Sequence, residues 1–117
     1  MRAFVVQEHR LRPGEVHWDL MVEAGEGEPL ITFQLPAPPL GELEGRRLPD
    51  HRRAYLEYEG QVSGGRGEVA IWDRGRVEDE AGDPRAARWR GRFAGQRLCG
   101  AWELEDGPAG AVRLRPA

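Results

Sequence analysis

The sequence contains no lysine; all seventeen basic residues are arginine. Arginine is the better bidentate partner for phosphate, although a GC-rich coding bias produces the same composition. The single cysteine, Cys99, excludes an internal disulfide and any multi-cysteine zinc or iron–sulfur site. It reads as a small strand residue and not as a nucleophile. No apolar run approaches the ~20 residues of a membrane-spanning helix. The opening segment, Met1 to Arg10, has no apolar stretch of signal-peptide length. These absences lead us to expect a cytoplasmic protein without membrane association. With 117 residues there is room for one domain, residues 1–117, and not for two.

Sixteen glycines and nine prolines make up about a fifth of the chain, which argues against a helical bundle and for many turns. A net charge of −3 does not by itself suggest a nucleic-acid partner. The distribution is uneven, however. Arginines gather at Arg46, Arg47, Arg52 and Arg53 and again from Arg85 to Arg97, while acids gather at Glu23, Glu26 and Glu28 and from Glu78 to Asp83.

Apolar residues recur mostly with period two. This predicts strands near 2–8, 16–22, 29–35, 55–61, 67–73, 88–93, 97–104 and 111–115. Arg12-Pro13-Gly14, Ala24 to Pro29, Ala94-Gly95-Gln96 and Asp106-Gly107-Pro108 supply the breaks. Pro36-Ala37-Pro38-Pro39 lacks ladder donors and opens a loop that we expect to run to about Asp50, with one helical turn from His51 to Tyr55. Short strands with glycine-rich turns predict an all-β antiparallel barrel or sandwich. The four tryptophans read as core, Trp89 among its arginines being the best candidate for base stacking. Gly64-Gly65-Arg66-Gly67 reads as a plain turn before it reads as a phosphate cradle, because no helix follows it.

The second strand is the most informative. Val16, Trp18, Leu20 and Val22 fall on one face; His17, Asp19 and Met21 fall on the other. His17 and Asp19 then lie about 7 Å apart along that face. If the first two strands pair antiparallel, His9 reaches the same end of the sheet. Two imidazoles and a carboxylate with open positions suit Mn²⁺, Fe²⁺ or Zn²⁺, and such a site activates water and neutralises a phosphoryl oxygen. The competing reading is that these histidines are surface residues in a rim of turns. His17, Asp19 and a distal His51 also imitate the two-histidine-one-carboxylate triad of non-haem iron oxygenases, but 117 residues are short for that scaffold.

Phe4-Val5-Val6-Gln7-Glu8-His9 followed by His17-Trp18-Asp19-Leu20 resembles the opening of the 3′-phosphoesterase domain family of bacterial DNA ligase D. Phe33-Gln34-Leu35-Pro36, Asp50-His51 with Tyr55 and Tyr58-Glu59-Gly60, Gly67 to Gly75, and Leu98 to Leu104 continue the resemblance in order along almost the whole chain. It implies a small antiparallel eight-stranded β-barrel with a groove-shaped active site. It also implies a Mn²⁺-dependent activity, with Zn²⁺ or Co²⁺ as other candidate divalent metals, that trims a 3′ ribonucleotide and removes a 3′-phosphate at DNA 3′ ends on a primer–template. The metal ligands would be His9, His17 and Asp19; His51 would bind the scissile phosphate and Tyr55 would frame the site. Arg46 or Arg47 would match a phosphate-contacting arginine. A separately encoded ligase or polymerase would be the partner in repair.

Two positions depart from the family's pattern. Met21 stands where an arginine is expected two residues after the metal aspartate, and Ala37 where a lysine is expected. Preorganised charge of this kind is worth ~3–4 kcal/mol per group. Arg10, Arg12, Arg52 or Arg53 could fill the space, with Arg52 a candidate phosphate or DNA contact. The departures leave open a binding module that holds DNA ends or docks on a partner without chemistry, and a phosphoesterase for a different substrate.

Overall fold

The computed structural model describes residues 1–117. Nine strands form: β1 (Arg2–Arg12), β2 (Glu15–Glu23), β3 (Leu30–Leu35), β4 (Leu43–His51), β5 (Gly60–Gln61), β6 (Glu68–Gly82), β7 (Arg88–Ala94), β8 (Cys99–Asp106) and β9 (Ala111–Pro116). There is no α-helix; Arg53–Leu56 makes one 3₁₀ turn, and Pro108–Gly110 another. The order β1-β2-β3-β4-β9-β8-β7-β6 is antiparallel throughout, and β6 pairs back onto β1. Eight strands thus close a barrel, and β5 is an extra strand on β6. Closure removes the exposed edges that an open sheet of this size would leave.

The all-β expectation and the barrel hold, with three differences in the elements. Residues 43–50, expected in a loop, and His51, expected to begin a helical turn, are β4. Residues 55–61, expected as a strand, are the end of the 3₁₀ turn and the short β5. The strand expected at 67–73 runs on to Gly82. Gly45 lets β4 pack against β3: a Cβ there would lie 2.4 Å from the Gln34 carbonyl oxygen.

Inward residues build a main core that includes Phe4, Leu20, Phe33, Trp89, Phe93 and Leu104. Phe93 meets the edges of Phe4 and Trp89 at ring-centroid distances of 5.1 and 5.7 Å. Trp89 donates its indole N–H to Glu80 at 2.7 Å. Buried in this way, it offers no face to a base. Trp102 is also buried, and Trp18 and Trp72 pack against the same cluster.

Asp73 explains the tight turn between β7 and β8. Its buried carboxylate accepts hydrogen bonds from the backbone N–H groups of Gln96, Arg97 and Leu98. Three donors on one carboxylate satisfy a turn that would otherwise bury unpaired amides. The carboxylate leaves no room for a side chain at Gly95, whose Cβ would stand 2.3 Å from it.

A second, smaller core lies on the outside of the barrel. Val5, Met21 and Leu30 are fully buried there beneath Tyr55 and Leu56 of the 3₁₀ turn, with Ile71 beside them. This external core holds the segment from Arg52 to Gly67 against the outer faces of β1, β2 and β6, where the candidate site is built.

Candidate metal centre

Strand alternation brings the donors together. His17 and Asp19 share the outer face of β2, and His9 of β1 is the direct cross-strand partner of His17. Antiparallel partners hold their side chains side by side. His9 Nδ1 stands 3.2 Å from His17 Nε2, His17 Nε2 stands 3.3 Å from Asp19 Oδ1, and His9 Nδ1 stands 3.9 Å from Asp19 Oδ2. One donor atom from each residue lies within 4.8 Å of the other two.

The 3.2 and 3.3 Å separations fit a shared ion, and the 3.9 Å one is longer. Ligands each ~2.1 Å from one metal stand roughly 3.0–3.4 Å apart at tetrahedral or octahedral angles. The proton arrangement fits as well. His9 Nε2 lies 2.6 Å from the Arg66 carbonyl oxygen, so that nitrogen carries the proton and donates it. The His9 Nδ1 lone pair is then turned toward the cluster, as an outer-shell carbonyl does for a metal-binding imidazole. Asp19 supplies the third sign. It is 3% exposed, and its Oδ1 is buried with no hydrogen-bond donor, the nearby imidazole lying off the required angle. A buried anionic oxygen left unpaired is costly, and a divalent cation would remove that cost.

The cluster opens into a cavity of about 250 Å³. Gln7, His9 and Asp19 line it. His51, Arg52, Tyr55 of the 3₁₀ turn, Asp50, Val62, Arg66 and Val69 complete the lining. His17 does not line this cavity; it touches the cluster from behind. His51 donates Nδ1–H to the Pro49 carbonyl at 3.1 Å, which leaves Nε2 for a ligand. Its ring packs edge-on to Tyr55 with centroids 6.0 Å apart.

The covering segment is anchored at several points. Gln7 Nε2 donates to the carbonyls of Tyr55 and Tyr58 at 3.0 and 2.9 Å. Arg53 is clamped to Glu23 and to the carbonyls of Gly25 and Glu28. Burial pushes the Glu23 carboxyl up, but hydrogen bonds from the Ala3 N–H and Arg53, with the charges of Arg53 and Arg76, hold it below its ordinary value. The Asp50 carboxyl is likewise held down, chiefly by the hydrogen bonds from Arg85.

Of the residues expected from sequence, His9, Asp19, His51, Tyr55 and Arg52 meet in the cavity wall and His17 joins through the cluster. Arg46 and Arg47 are elsewhere. Arg46 reaches the Ala109 carbonyl at 3.4 Å. Arg47 is bound to the carbonyls of Pro84 and Ala86 and to Asp106, and lies over the Phe33 ring. Arg10, Arg12 and Arg53 are each paired with a glutamate. Arg52 has no such partner. Nor does Arg66, whose guanidinium donates only to Ser63. Met21 is buried, so the expected cation has no counterpart at that position. Ala37 lies outside the cavity.

Sequence reasoning passed over Gln7, Asp50 and Arg66 as site residues. The signal for Arg66 was present in the glycines around it. Gly64, Gly65 and Gly67 all have positive φ, and a Cβ on Gly67 would lie 2.0 Å from the Arg10 carbonyl oxygen. That close approach seats the Arg66 carbonyl over His9. Comparison of the sequence with models of known protein families and with curated proteins finds no match in either.

Proposed function

We propose that the chain is a metal-dependent phosphoesterase that processes DNA 3′ ends, removing a 3′-phosphate or a 3′-ribonucleotide. The observation that carries this reading is the gathering of two imidazole nitrogens and an unpaired buried carboxylate oxygen within 4.8 Å of one another, beside a cavity that Arg52 and Arg66 also line. His9, His17 and Asp19 would hold the ion, with Mn²⁺ as first candidate and Zn²⁺ or Co²⁺ as others. When bound, a divalent ion neutralises phosphoryl oxygen charge and lowers the pKa of water.

The chain's own residues account for the rest. The Arg66 carbonyl fixes the His9 tautomer. The Pro49 carbonyl accepts the Nδ1–H of His51, which leaves Nε2 of that ring for a phosphoryl group in the cavity. Arg52 and Arg66 supply cationic charge at the cavity wall in place of the absent family cations. The setting would be cytoplasmic, with a separately encoded ligase or polymerase using the 3′-hydroxyl produced.

The test is a primer–template carrying a 3′-phosphate or a 3′-ribonucleotide, incubated with manganese-loaded protein. Release of phosphate or of the ribonucleotide, abolished by chelation and reduced at least about a hundredfold by His9→Ala, is the expected outcome. No cleavage by fully loaded protein overturns the reading.

Met21 favours a second reading. Because it sits beneath Tyr55 and Leu56 as part of the external core, the site has one cation fewer, which suits a module that binds DNA ends without cleaving them. That reading requires salt-sensitive DNA binding that survives chelation and His17→Ala.

A further inference from the structure

Next to the metal cavity lies a second cavity of about 250 Å³, and the two share Arg52 and Tyr55. Ala54, Tyr58, Gln61 and Ser63 complete its lining. Tyr58 is 39% exposed, in a chain whose other large aromatic rings are mostly buried or half-buried. Its ring is nevertheless fixed. The hydroxyl donates to the Gln61 carbonyl at 2.5 Å, and the edge contact with Tyr55 has a centroid distance of 5.8 Å. The Tyr58 backbone is tied to the barrel through Gln7. A ring held this way loses little freedom when a planar ligand stacks on it.

We infer that this second cavity is the subsite for the nucleobase of the 3′-terminal nucleotide, with Tyr58 as its stacking surface and Arg52 holding the phosphate at the junction. The inference rests on the phosphoesterase reading and deepens it. The chemistry of the lining matches a nucleoside. Tyr58 offers an apolar face. With one Gln61 N–H given to Glu68 and Ser63 Oγ accepting from Arg66, the Gln61 carboxamide oxygen remains as an acceptor and the Ser63 O–H as a donor for a base edge or a sugar hydroxyl. Arg52, with no carboxylate partner, stands where a phosphate would leave the metal cavity and a sugar would enter the second one. Stacking does not discriminate strongly among bases, so the subsite tolerates any terminal base but requires that one be present.

Two measurements test this. In the first, a 3′-phosphorylated primer carries 2-aminopurine as its terminal base, and quenching is followed as protein is added without metal. Tyr58→Phe should quench as wild type does. Tyr58→Leu should lose the quenching and bind about tenfold or more weakly. In the second, kcat/KM is compared for a base-bearing 3′-phosphate end and an abasic one. Wild type should prefer the base-bearing end by about tenfold or more, and Tyr58→Leu should erase the preference. Circular dichroism melts of both variants establish that they fold. An equal rate on the two ends in wild type, or quenching unchanged in a folded Tyr58→Leu, overturns the subsite. Failure to cleave either end counts against the phosphoesterase reading alone, because the quenching titration still reports on Tyr58.

Discussion

His9 does two things at once. Its Nε2 is held by the Arg66 carbonyl, and its Nδ1 faces His17 and Asp19. Neither nitrogen is free to serve the solvent, which is unusual for a histidine placed on a surface only to be polar. Asp19 is the more demanding partner. It is buried and short of a donor on Oδ1. A group of this kind stabilises a metal-bound state and weakens the metal-free one. Asp19→Asn should therefore separate the two. At pH 8, where an ordinary imidazole is neutral, the metal-free variant should be as stable as wild type or about 1 kcal/mol more stable. The stabilisation expected from manganese in wild type should be absent in the variant. Urea unfolding with and without MnCl₂ measures both, and a full manganese effect in the variant would refute the three-donor site.

The element that makes a cavity of this face is the covering segment, and one ion pair fastens its start. Arg53 of the 3₁₀ turn is clamped to Glu23 at the end of β2. The Glu23 carboxyl is held below its ordinary value near 4.5. The sign follows: a carboxyl with a depressed folded value contributes stability above the unfolded value and loses it as pH falls through the folded one. Glu23→Gln should cost ~1–3 kcal/mol at pH 7. It should also flatten the fall in stability below about pH 4.5, since the variant has no proton to take up there. Urea midpoints from pH 7 to pH 3 test this; a parallel decline in both proteins would mean that the pair does not hold the segment.

The same scale explains what could and could not be read in advance. β2 was legible because its alternation is unbroken from Val16 to Val22. β4 was not: Gly45, the pair Arg46-Arg47 and Pro49 interrupt any period of two, and Arg47 sits against Phe33 where an apolar residue would be expected. The second half of β6 was hidden by a bulge. Val6 pairs with Asp73 and Gln7 with Ile71, so Trp72 is an extra residue that resets the alternation. Residues 55–61 suggested a strand, yet Tyr55 lies in the 3₁₀ turn and Tyr58 in the irregular stretch between that turn and β5.

At the scale of the molecule, the candidate site lies on the outside of the barrel and the main core lies within it. His17 and Asp19 were legible as a pair because strand alternation puts them on one face of β2, and His9 joins them only through the antiparallel pairing of β1 with β2. The cavity above them was not legible, because it is made by a segment whose anchors, Gln7 and Arg53, act through backbone carbonyls and an ion pair distant in sequence. The separation of core from site has a measurable consequence. In the ring of eight strands, β8 is four steps from β2 in either direction. Leu104 of β8 is 1% exposed in the main core. Leu104→Ala should cost ~2–5 kcal/mol. Manganese at a hundred times its Kd should stabilise the native protein by ~2.7 kcal/mol, raising Tm by roughly 8–15 °C for a domain of this size. Mutations at distant sites add to within ~0.5 kcal/mol, so Leu104→Ala should melt lower by its own cost and still gain the full manganese increment. His17→Ala should show the reverse, a small change in the metal-free melt and no increment. If Leu104→Ala lost the increment too, the site would depend on the packing of the whole barrel and not on one of its outer faces.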